Sequence, residues 1–217
     1  MILENGPLLI SDTQVNAIPS PVQISEIVFA TARHARRFGI EPKIALCSHS
    51  QFGNLDSESG RNMRDALKIL DSKKCDFLYE GEMHSDAALD PELRSRIMPN
   101  CRFDGAANAL VFANTDAASG VRNILKMCAN GLEVGPILMG LGNKAHIVTP
   151  SITARGLLNI SALAGSLVAT TGYAGALDVS GAAKVSYVSK DETEVTGNPF
   201  SMTRDITFSG SGEMDNG

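Results

Sequence analysis

One stretch near the middle of the chain restricts its fold more than any other. Residues 109–113 form a short, wholly apolar run, and Asn114, Thr115 and Asp116 follow it directly. A short apolar run of this kind is typical of a strand that is buried on both faces of a sheet. Four apolar residues then recur at the spacing of one helix face, namely Val121, Ile124, Leu125 and Cys128. The stretch therefore predicts a strand, a tight loop and a helix.

The loop of this unit is a candidate ligand-binding position. In open α/β sheets, ligands bind at the carboxyl edge, where the N-terminus of the following helix exposes unpaired backbone N–H groups. Asn114, Thr115 and Asp116 occupy that position. The alternative interpretation is that Thr115 or Asp116 only caps the helix. The residues by themselves leave both interpretations open.

The rest of the chain up to about residue 164 alternates apolar runs with helical patterns. Strands are predicted at 8–10, 42–47, 75–80, 135–142 and 144–148. Helices are predicted after the cap Ser20 as far as Gly39, after Gly60, at 90–97 and around Leu157, Ile160, Ala164 and Val168. This alternation indicates an α/β fold with three layers, in which a mostly parallel sheet carries helices on both faces.

A second candidate loop follows the strand at 42–47. Ser48 and Ser50 supply small hydroxyl groups and Gly53 a flexible backbone, which together can present donors to an anion. A turn without a ligand explains the same residues equally well. Gly140 lies in the glycine-rich end of the run at 135–142, but neither a phosphate-loop motif nor a dinucleotide-binding motif is present.

Residues 80–86 concentrate ionisable side chains. Glu80, Glu82 and Asp86 with His84 resemble a metal or acid–base site, yet their spacing fits no standard ligand motif. We therefore predict no metal site. Asp86 is expected to cap a short helix, and His84 to form hydrogen bonds in a loop.

Composition narrows the function classes. A net charge of −5 leaves no basic stripe for nucleic acid. No apolar run approaches the roughly 18 residues of a membrane span, and the first residues lack a signal peptide, so a cytoplasmic protein is expected.

The four cysteines are far apart in sequence and are predicted to be reduced and mostly buried. From about residue 165 the chain becomes rich in Gly, Ser and Thr. We predict an α/β domain at 1–164 and an irregular extension at 165–217 that is partly disordered or a β-hairpin.

Several long segments, in order and in register, resemble a known family. They are DTQVNAIPSP, FGIEPKIALCSHSQFG, GEMHSDAAL, LVFANTDAASGVRNILK and GPILMGLGNKAHIVTPSITARGLLNISALA. They are similar to the phosphate acetyl/butyryltransferase (phosphotransacetylase) family, and most similar to the version at the C-terminus of bacterial NADP-dependent malic enzymes. The resemblance implies an isocitrate/isopropylmalate dehydrogenase-like fold of two domains. In this chain it implies the second domain and the final segment of the first, with the N-terminal part missing.

The resemblance also implies ligands and partners. Acetyl-CoA or CoA and phosphate are the expected ligands, none of them covalently bound, and a homodimer is the expected assembly. A malic-enzyme chain or an N-terminal transferase chain is a further expected partner. The candidate coenzyme-binding residues are then Ser48, Ser50, Asn114, Thr115, Asp116, Gly140, Thr149, Ser151 and Arg155, with Thr149 as the catalytic candidate.

The chain departs from active family members at two places. These members carry Ser-Arg and, about six residues later, Asp, whereas this chain has Thr149-Pro150 and Gly156. Without a positioned base and a charge to hold phosphate, acyl transfer loses orders of magnitude in rate. The expected function is thus an acetyl-CoA-binding, dimerising and regulatory module of a malic enzyme, weak or inactive alone. The alternatives are an active phosphate acetyltransferase completed by a separate chain, and a truncated fragment without function.

Overall fold

The computed structural model describes residues 1–129, 132–140, 146, 148, 152–168, 176–187 and 200–211, and of 155, 165–168, 176–187 and 200–211 the backbone alone. The chain divides into two compact units, Met1–Gly165 and Ser166–Gly217.

The elements alternate between strands and helices, as predicted. In chain order they are β1 (Ile2–Leu3), β2 (Gly6–Pro7), β3 (Leu9–Ser11), α1 (Pro21–Arg37), β4 (Lys43–Cys47), α2 (Glu58–Ser72), β5 (Leu78–Met83), α3 (Ser85–Leu89), α4 (Pro91–Ile97), β6 (Ala109–Phe112), α5 (Thr115–Cys128), α6 (Ala154–Val168), β7 (Ala176–Tyr187) and β8 (Phe200–Ser211). Within the described residues, β3, β6, β4 and β5 form a sheet in that order with every pair parallel. The predicted three-layer α/β fold is therefore confirmed.

Strand β4 shows why the central strands are apolar throughout. Ile44 and Leu46 pack into a core formed with α1 and α2, while Ala45 and Cys47 pack into a second core on the opposite face with α3 and α5. Successive side chains of a strand point to opposite faces, so a strand between two helical layers is buried on both sides. The continuous apolar run that predicted β6 has the same cause.

The helix ends follow local chemistry. Ser20 caps α1 in a capping box with Gln23, as the sequence predicted. Helix α2 begins earlier than predicted, at Glu58, because Ser57 caps it by accepting a hydrogen bond from the Gly60 N–H at 3.1 Å. Gly60 lies inside the first turn, where a Cβ atom would lie only 2.8 Å from the Cβ of Ser50. The absence of a side chain thus lets α2 approach the loop after β4.

Two strand predictions were wrong. Strand β5 covers Leu78–Met83 rather than 75–80, because Glu80 and Glu82 have cationic partners that permit them inside a sheet. The run at 135–142 forms no strand in its described part, 135–140, and only Leu132 just before it bridges to Ile2. Of the predicted strand 144–148, only His146 and Val148 are described, and neither is in a strand.

The remaining predictions concern the cysteines and the second unit. Only Cys47 is buried, Cys75 and Cys101 are partly buried and Cys128 is exposed, so the prediction of mostly buried thiols was wrong. In the second unit, β7 and β8 pair antiparallel from Ala176 opposite Ser211 to Tyr187 opposite Phe200. No helix in the described part of the chain is long and apolar enough to cross a membrane.

A buried arginine on α4 organises the connection from α3 to β6. The Arg94 guanidinium, in a residue that is only 2% exposed, donates to the carbonyl oxygens of Ala87 at 3.1 Å and Ala88 at 3.2 Å. It also donates to the carbonyl oxygens of Phe103 and Gly105, and lies 4.8 Å from the centre of the Phe103 ring. One side chain thus satisfies four carbonyl groups from two separate segments.

The loop after β3 is held by a single carboxylate. Asp12 accepts hydrogen bonds from the backbone N–H groups of Gln14, Val15 and Asn16 at 2.8–3.0 Å, and from the Asn16 side-chain amide at 2.7 Å. Partial burial alone raises the pKa of Asp12, but these four donors outweigh it, and the net pKa lies below the usual value.

We expect Arg94→Lys to lower the free energy of unfolding by about 3 kcal/mol, because an ammonium group cannot reach all four carbonyls and unpaired buried acceptors are costly. Denaturant unfolding measures the change. Arg96→Lys on the same helix, where Arg96 is exposed, is the matched control and is expected to change stability by less than about 0.5 kcal/mol. Equal effects of the two substitutions would contradict the role of Arg94.

We expect Asp12→Asn to remove part of the loss of stability in acid. Because the pKa of Asp12 is lower in the folded state, its contribution is complete above the unfolded pKa and is lost as pH falls through the folded pKa. The stability difference between wild type and Asp12→Asn should therefore shrink as pH falls below about 4. Unfolding measured across this range tests it, with exposed Glu4→Gln as the control. A constant difference would contradict the prediction.

Candidate functional site

The carboxyl ends of the four parallel strands bring the candidate loops to one edge of the sheet. Cys47 is in register with Phe112 on one side and with Met83 on the other. The chain segments that begin at Ser48, Ala113 and His84 therefore leave the sheet side by side. The two loops that the sequence selected as candidates therefore follow neighbouring strands at one edge, and the loop after β5 follows the next strand along.

Asn114 is the residue that caps α5. Its side-chain oxygen accepts a hydrogen bond from the Ala117 N–H at 2.8 Å. The Thr115 N–H donates to the carbonyl oxygen of Ala17 at 3.2 Å, and Asp116 is exposed in the first turn. The interpretation that Thr115 or Asp116 provides the cap was therefore wrong. The positive end of the helix dipole stabilises the exposed carboxylate of Asp116 in this turn.

The two serines of the loop after β4 differ in their surroundings. Ser48 is half-buried, and its hydroxyl accepts a hydrogen bond from the Ser50 N–H at 3.1 Å. Ser50 is fully buried and donates its hydroxyl hydrogen to the carboxylate of Glu82. The sequence placed both in one class of candidate ligand. In the structure Ser48 lies nearer the surface, and Ser50 lies beneath the loop.

Glu82 is the centre of a buried polar network that sequence reasoning missed. One of its carboxylate oxygens accepts hydrogen bonds from Ser50, from the Gly53 N–H at 2.9 Å and from Arg64 at 2.8 Å. Glu82 is 1% exposed, so the charge of the half-buried Arg64 offsets the cost of burying the carboxylate. The signal was present in the sequence, since alternate positions of an apolar strand carried Glu80 and Glu82.

Two histidines also lie at this edge. His84 caps α3 without a side-chain hydrogen bond to that helix, and its Nε2 atom lies 2.7 Å from the carbonyl oxygen of His49. The two imidazole rings are stacked, with centroids 5.9 Å apart and planes inclined by 10°. Hydrogen bonding by His84 in a loop was predicted, whereas the contribution of His49 was not. Asp86 lies in the first turn of α3 rather than at its cap, and accepts from the Ala87 N–H at 2.7 Å.

The carboxylates at 80–86 point to different partners. Glu80 accepts a hydrogen bond from the Arg102 N–H, Glu82 pairs with Arg64, and Asp86 bonds its own helix. In the part of the chain that the structure describes, no group of three or more His, Cys, Asp or Glu side chains is placed to hold a metal ion.

The Cys47 thiol ends β4 beneath these loops. Burial raises the pKa of Cys47 to about 12, so the thiol stays protonated near neutral pH and is a poor nucleophile.

A cavity of about 600 Å³ lies beside β3 rather than at the loops after β4 and β6. It is lined by Leu8–Asn16, one face of α1 and residues 133–140, and among the candidate residues that the structure describes Gly140 alone lies on its wall. The described lining reaches the carboxyl edge through Asp12 and the residues that follow it. Its lining is mostly apolar, whereas the loops at the edge carry the polar groups. We therefore place the candidate site at the loops, which carry polar side chains beside the N-terminus of α5.

The C-terminal candidates are only partly described. Thr149, Pro150 and Ser151 lie outside the described residues, and of Arg155 only the backbone position in the first turn of α6 is described. Gly156 follows in the same turn, and its N–H donates to the hydroxyl of Thr153 at 3.0 Å. These residues remain predictions from the sequence.

Comparison with known proteins places the first unit in a family. A family model described as phosphate acetyl/butaryl transferase matches residues 1–165. An NAD-dependent malic enzyme of Rhizobium meliloti is 44% identical over 164 residues, which are 76% of this chain and 21% of that enzyme. An NADP-dependent malic enzyme of Salmonella typhimurium is 43% identical over 165 residues, again 76% of this chain and 22% of that enzyme. The chain thus spans about a fifth of the malic enzymes that it matches.

Solved structures give the same assignment. A phosphotransacetylase from Streptococcus pyogenes superimposes with a TM-score of 0.67 at 27% identity, covering 73% of this chain and 48% of that one. The sequence match and the structural match both cover the unit that contains the parallel sheet. The chain therefore belongs to the phosphate acetyl/butaryl transferase family, and its first unit is a phosphate acetyltransferase-like domain of the kind found in malic enzymes.

Proposed function

We propose that this chain binds acetyl-CoA at the carboxyl edge of its sheet and acts as a dimerising, regulatory module of a malic enzyme. On this proposal it has little or no acyltransferase activity alone. The family match over residues 1–165, combined with the identities of Pro150 and Gly156, is the observation that carries the proposal. The coenzyme is the one that the family resemblance implies, and the two residues argue against catalysis.

The environment of Gly156 supports the loss of a catalytic base. A Cβ atom at this position would lie 3.0 Å from Cγ1 of Ile152 and 3.2 Å from the Thr153 hydroxyl oxygen. That hydroxyl already accepts the Gly156 N–H, so the first turn of α6 is closed around the glycine. A side chain at this position would require the side chains of Ile152 and Thr153 to give by a few tenths of an ångström. Pro150 in turn has no charge with which to hold phosphate.

The carboxyl edge supports binding of an anionic coenzyme. Ser48 and Asn114 are half-buried and follow two neighbouring strands, and the N-terminus of α5 adds partial positive charge. Among the described groups at this edge, only the imidazoles of His49 and His84 can accept a proton from a thiol, and His84 already uses one ring nitrogen to contact the His49 carbonyl. Pro150 and Gly156, and not this edge, therefore argue against catalysis.

We expect wild-type protein to bind acetyl-CoA and to show no phosphate-dependent exchange between acetyl-CoA and CoA. Calorimetric titration measures binding, and a thiol-release assay measures turnover. Acetyl phosphate without CoA is the ligand control and should give no heat, because it lacks the nucleotide and pantetheine groups. Turnover by the chain alone would overturn the regulatory proposal, and absence of binding at millimolar concentration would overturn both parts.

One observation favours a second candidate, an active transferase that a separate chain completes. The match covers only 48% of the solved phosphotransacetylase from Streptococcus pyogenes. On this candidate, the other half of such a fold supplies the groups that hold phosphate. Turnover that arises only when a chain with that half is added would support this candidate over the regulatory one.

Dimerisation is proposed through α5. Ile124 is 63% exposed and Met127 is 78% exposed, whereas Val121 and Leu125, which the helical pattern places on the same face as Ile124, pack against the core. Large apolar side chains exposed together on one helix are typical of an interface.

We expect Ile124→Asp combined with Met127→Asp to convert a dimer into a folded monomer, because two charges would be desolvated at the contact. Light scattering coupled to gel filtration gives the mass, and circular dichroism confirms folding. Lys68→Glu on α2, which is exposed and remote from α5 in sequence, is the control and should leave the mass unchanged. A wild type that is monomeric at all concentrations would contradict the prediction.

A further inference from the structure

A pair of stacked histidines, His49 and His84, lies at the carboxyl edge of the sheet. His49 follows β4, His84 follows β5, and the two strands are neighbours. His49 is exposed, whereas His84 is half-buried. The nearly parallel rings therefore form a pair with one member at the surface and the other supporting it.

The contact between the two residues determines which nitrogen of His84 carries hydrogen. Its Nε2 atom lies 2.7 Å from the His49 carbonyl oxygen, and a carbonyl oxygen can only accept. Nε2 is therefore the hydrogen-bond donor. This hydrogen bond holds the His49 backbone, while the stack holds the His49 ring.

Two backbone hydrogen bonds hold the loop on β5. The Ser48 N–H donates to the carbonyl oxygen of Met83 at 2.9 Å, and the Phe52 N–H donates to that of Glu82 at 2.7 Å. These bonds tie the loop to β5 on both sides of His49. The exposed imidazole is thus presented from a rigid loop, which lowers the entropy lost on binding.

Within the described part of the chain, the His49 ring nitrogens form no hydrogen bond or ion pair. We propose that His49 binds a phosphate group of the coenzyme and that His84 positions it. The inference rests on the proposed function, because the coenzyme supplies the phosphate. It deepens that function by naming the residue that recognises the charge.

The surrounding charges determine how this contact responds to pH. The ionisable groups on the elements packed around the loop are Glu82 and Arg64, which pair with each other, Asp56, which pairs with Arg61, and Asp86, which bonds its own helix. Each carboxylate therefore already has a partner. Two imidazolium rings so close together repel each other, and a bound phosphate relieves that repulsion. Binding should therefore take up protons and strengthen as pH falls.

The test is calorimetric titration of the 217-residue chain with acetyl-CoA. We expect the wild type to bind about tenfold more tightly near pH 6 than near pH 8, as a charge-assisted hydrogen bond forms. His49→Gln, which keeps a polar side chain of similar size, should bind about tenfold more weakly near pH 6 and show no pH dependence. His49→Ala should behave alike, and melting temperatures confirm that both variants fold.

Two further variants separate positioning from a purely structural role. His84→Phe keeps an aromatic ring in the stack but removes the donor to His49, so it should flatten the pH profile without preventing folding. Gln51→Ala in the same loop is the matched control and should leave affinity and pH profile unchanged. A His84→Phe variant with the wild-type pH profile would remove His84 from the proposal.

A second ligand distinguishes the 3′-phosphate of the coenzyme from its pyrophosphate. Acetyl-dephospho-CoA lacks the 3′-phosphate and retains the pyrophosphate. Loss of the pH dependence with this ligand assigns His49 to the 3′-phosphate, and its retention assigns His49 to the pyrophosphate.

Wild-type affinity and pH profile in both His49 variants would overturn this inference alone. A wild type that binds no acetyl-CoA at either pH would overturn the proposed function together with it.

Discussion

The carboxyl edge of this protein depends on one buried ion pair. The Glu82 carboxylate binds Arg64 of α2, the Ser50 hydroxyl and the Gly53 N–H, so a single side chain joins β5, α2 and the loop after β4. A buried carboxylate with its partner removed is strongly destabilising, which makes each member of the network necessary to the others. The close approach of α2 at Gly60 is part of the same arrangement. The loop that displays Ser48 and His49 is rigid because this pair lies beneath it.

The sequence predicted the elements whose local signals agreed with their tertiary surroundings. The run before Asn114 predicted β6, and Ser20 with Pro21 predicted the start of α1, because burial and capping act over a few residues. The prediction placed strand β5 three residues too early, because Glu80 and Glu82 resemble loop residues in the sequence. In the structure they form ion pairs with Arg102 and Arg64. Those arginines lie 22 and 18 residues away in sequence, and short-range periodicity carries no information about such partners.

At the candidate site, too, the sequence predicted what depends on local pattern and missed what depends on residues distant in sequence. That the loops after β4 and β6 lie at the same edge followed from the parallel arrangement of the strands, which the alternation of strands and helices predicts. The difference between Ser48 and Ser50 did not follow, because it depends on Glu82 below the loop. Nor did the exposure of Ile124, since a helical stripe shows which residues share a face and not how wide the covered part is. The family resemblance was carried by long segments in register and was confirmed over residues 1–165.

The Arg94 contacts have a consequence for how freely the connection before β6 can vary. All four of its acceptors are main-chain carbonyls, which every amino acid possesses. The path of this segment is therefore fixed by Arg94 of α4 through the backbone and depends less on the side chains of the segment. The residues that do matter there are Phe103, whose ring covers the guanidinium, and Gly105, whose φ of +75° suits glycine. Ala107 also packs in the core, and the Asn108 side chain bonds the backbone of Lys43 and Glu41. A variable stretch of sequence can thus trace a constant path.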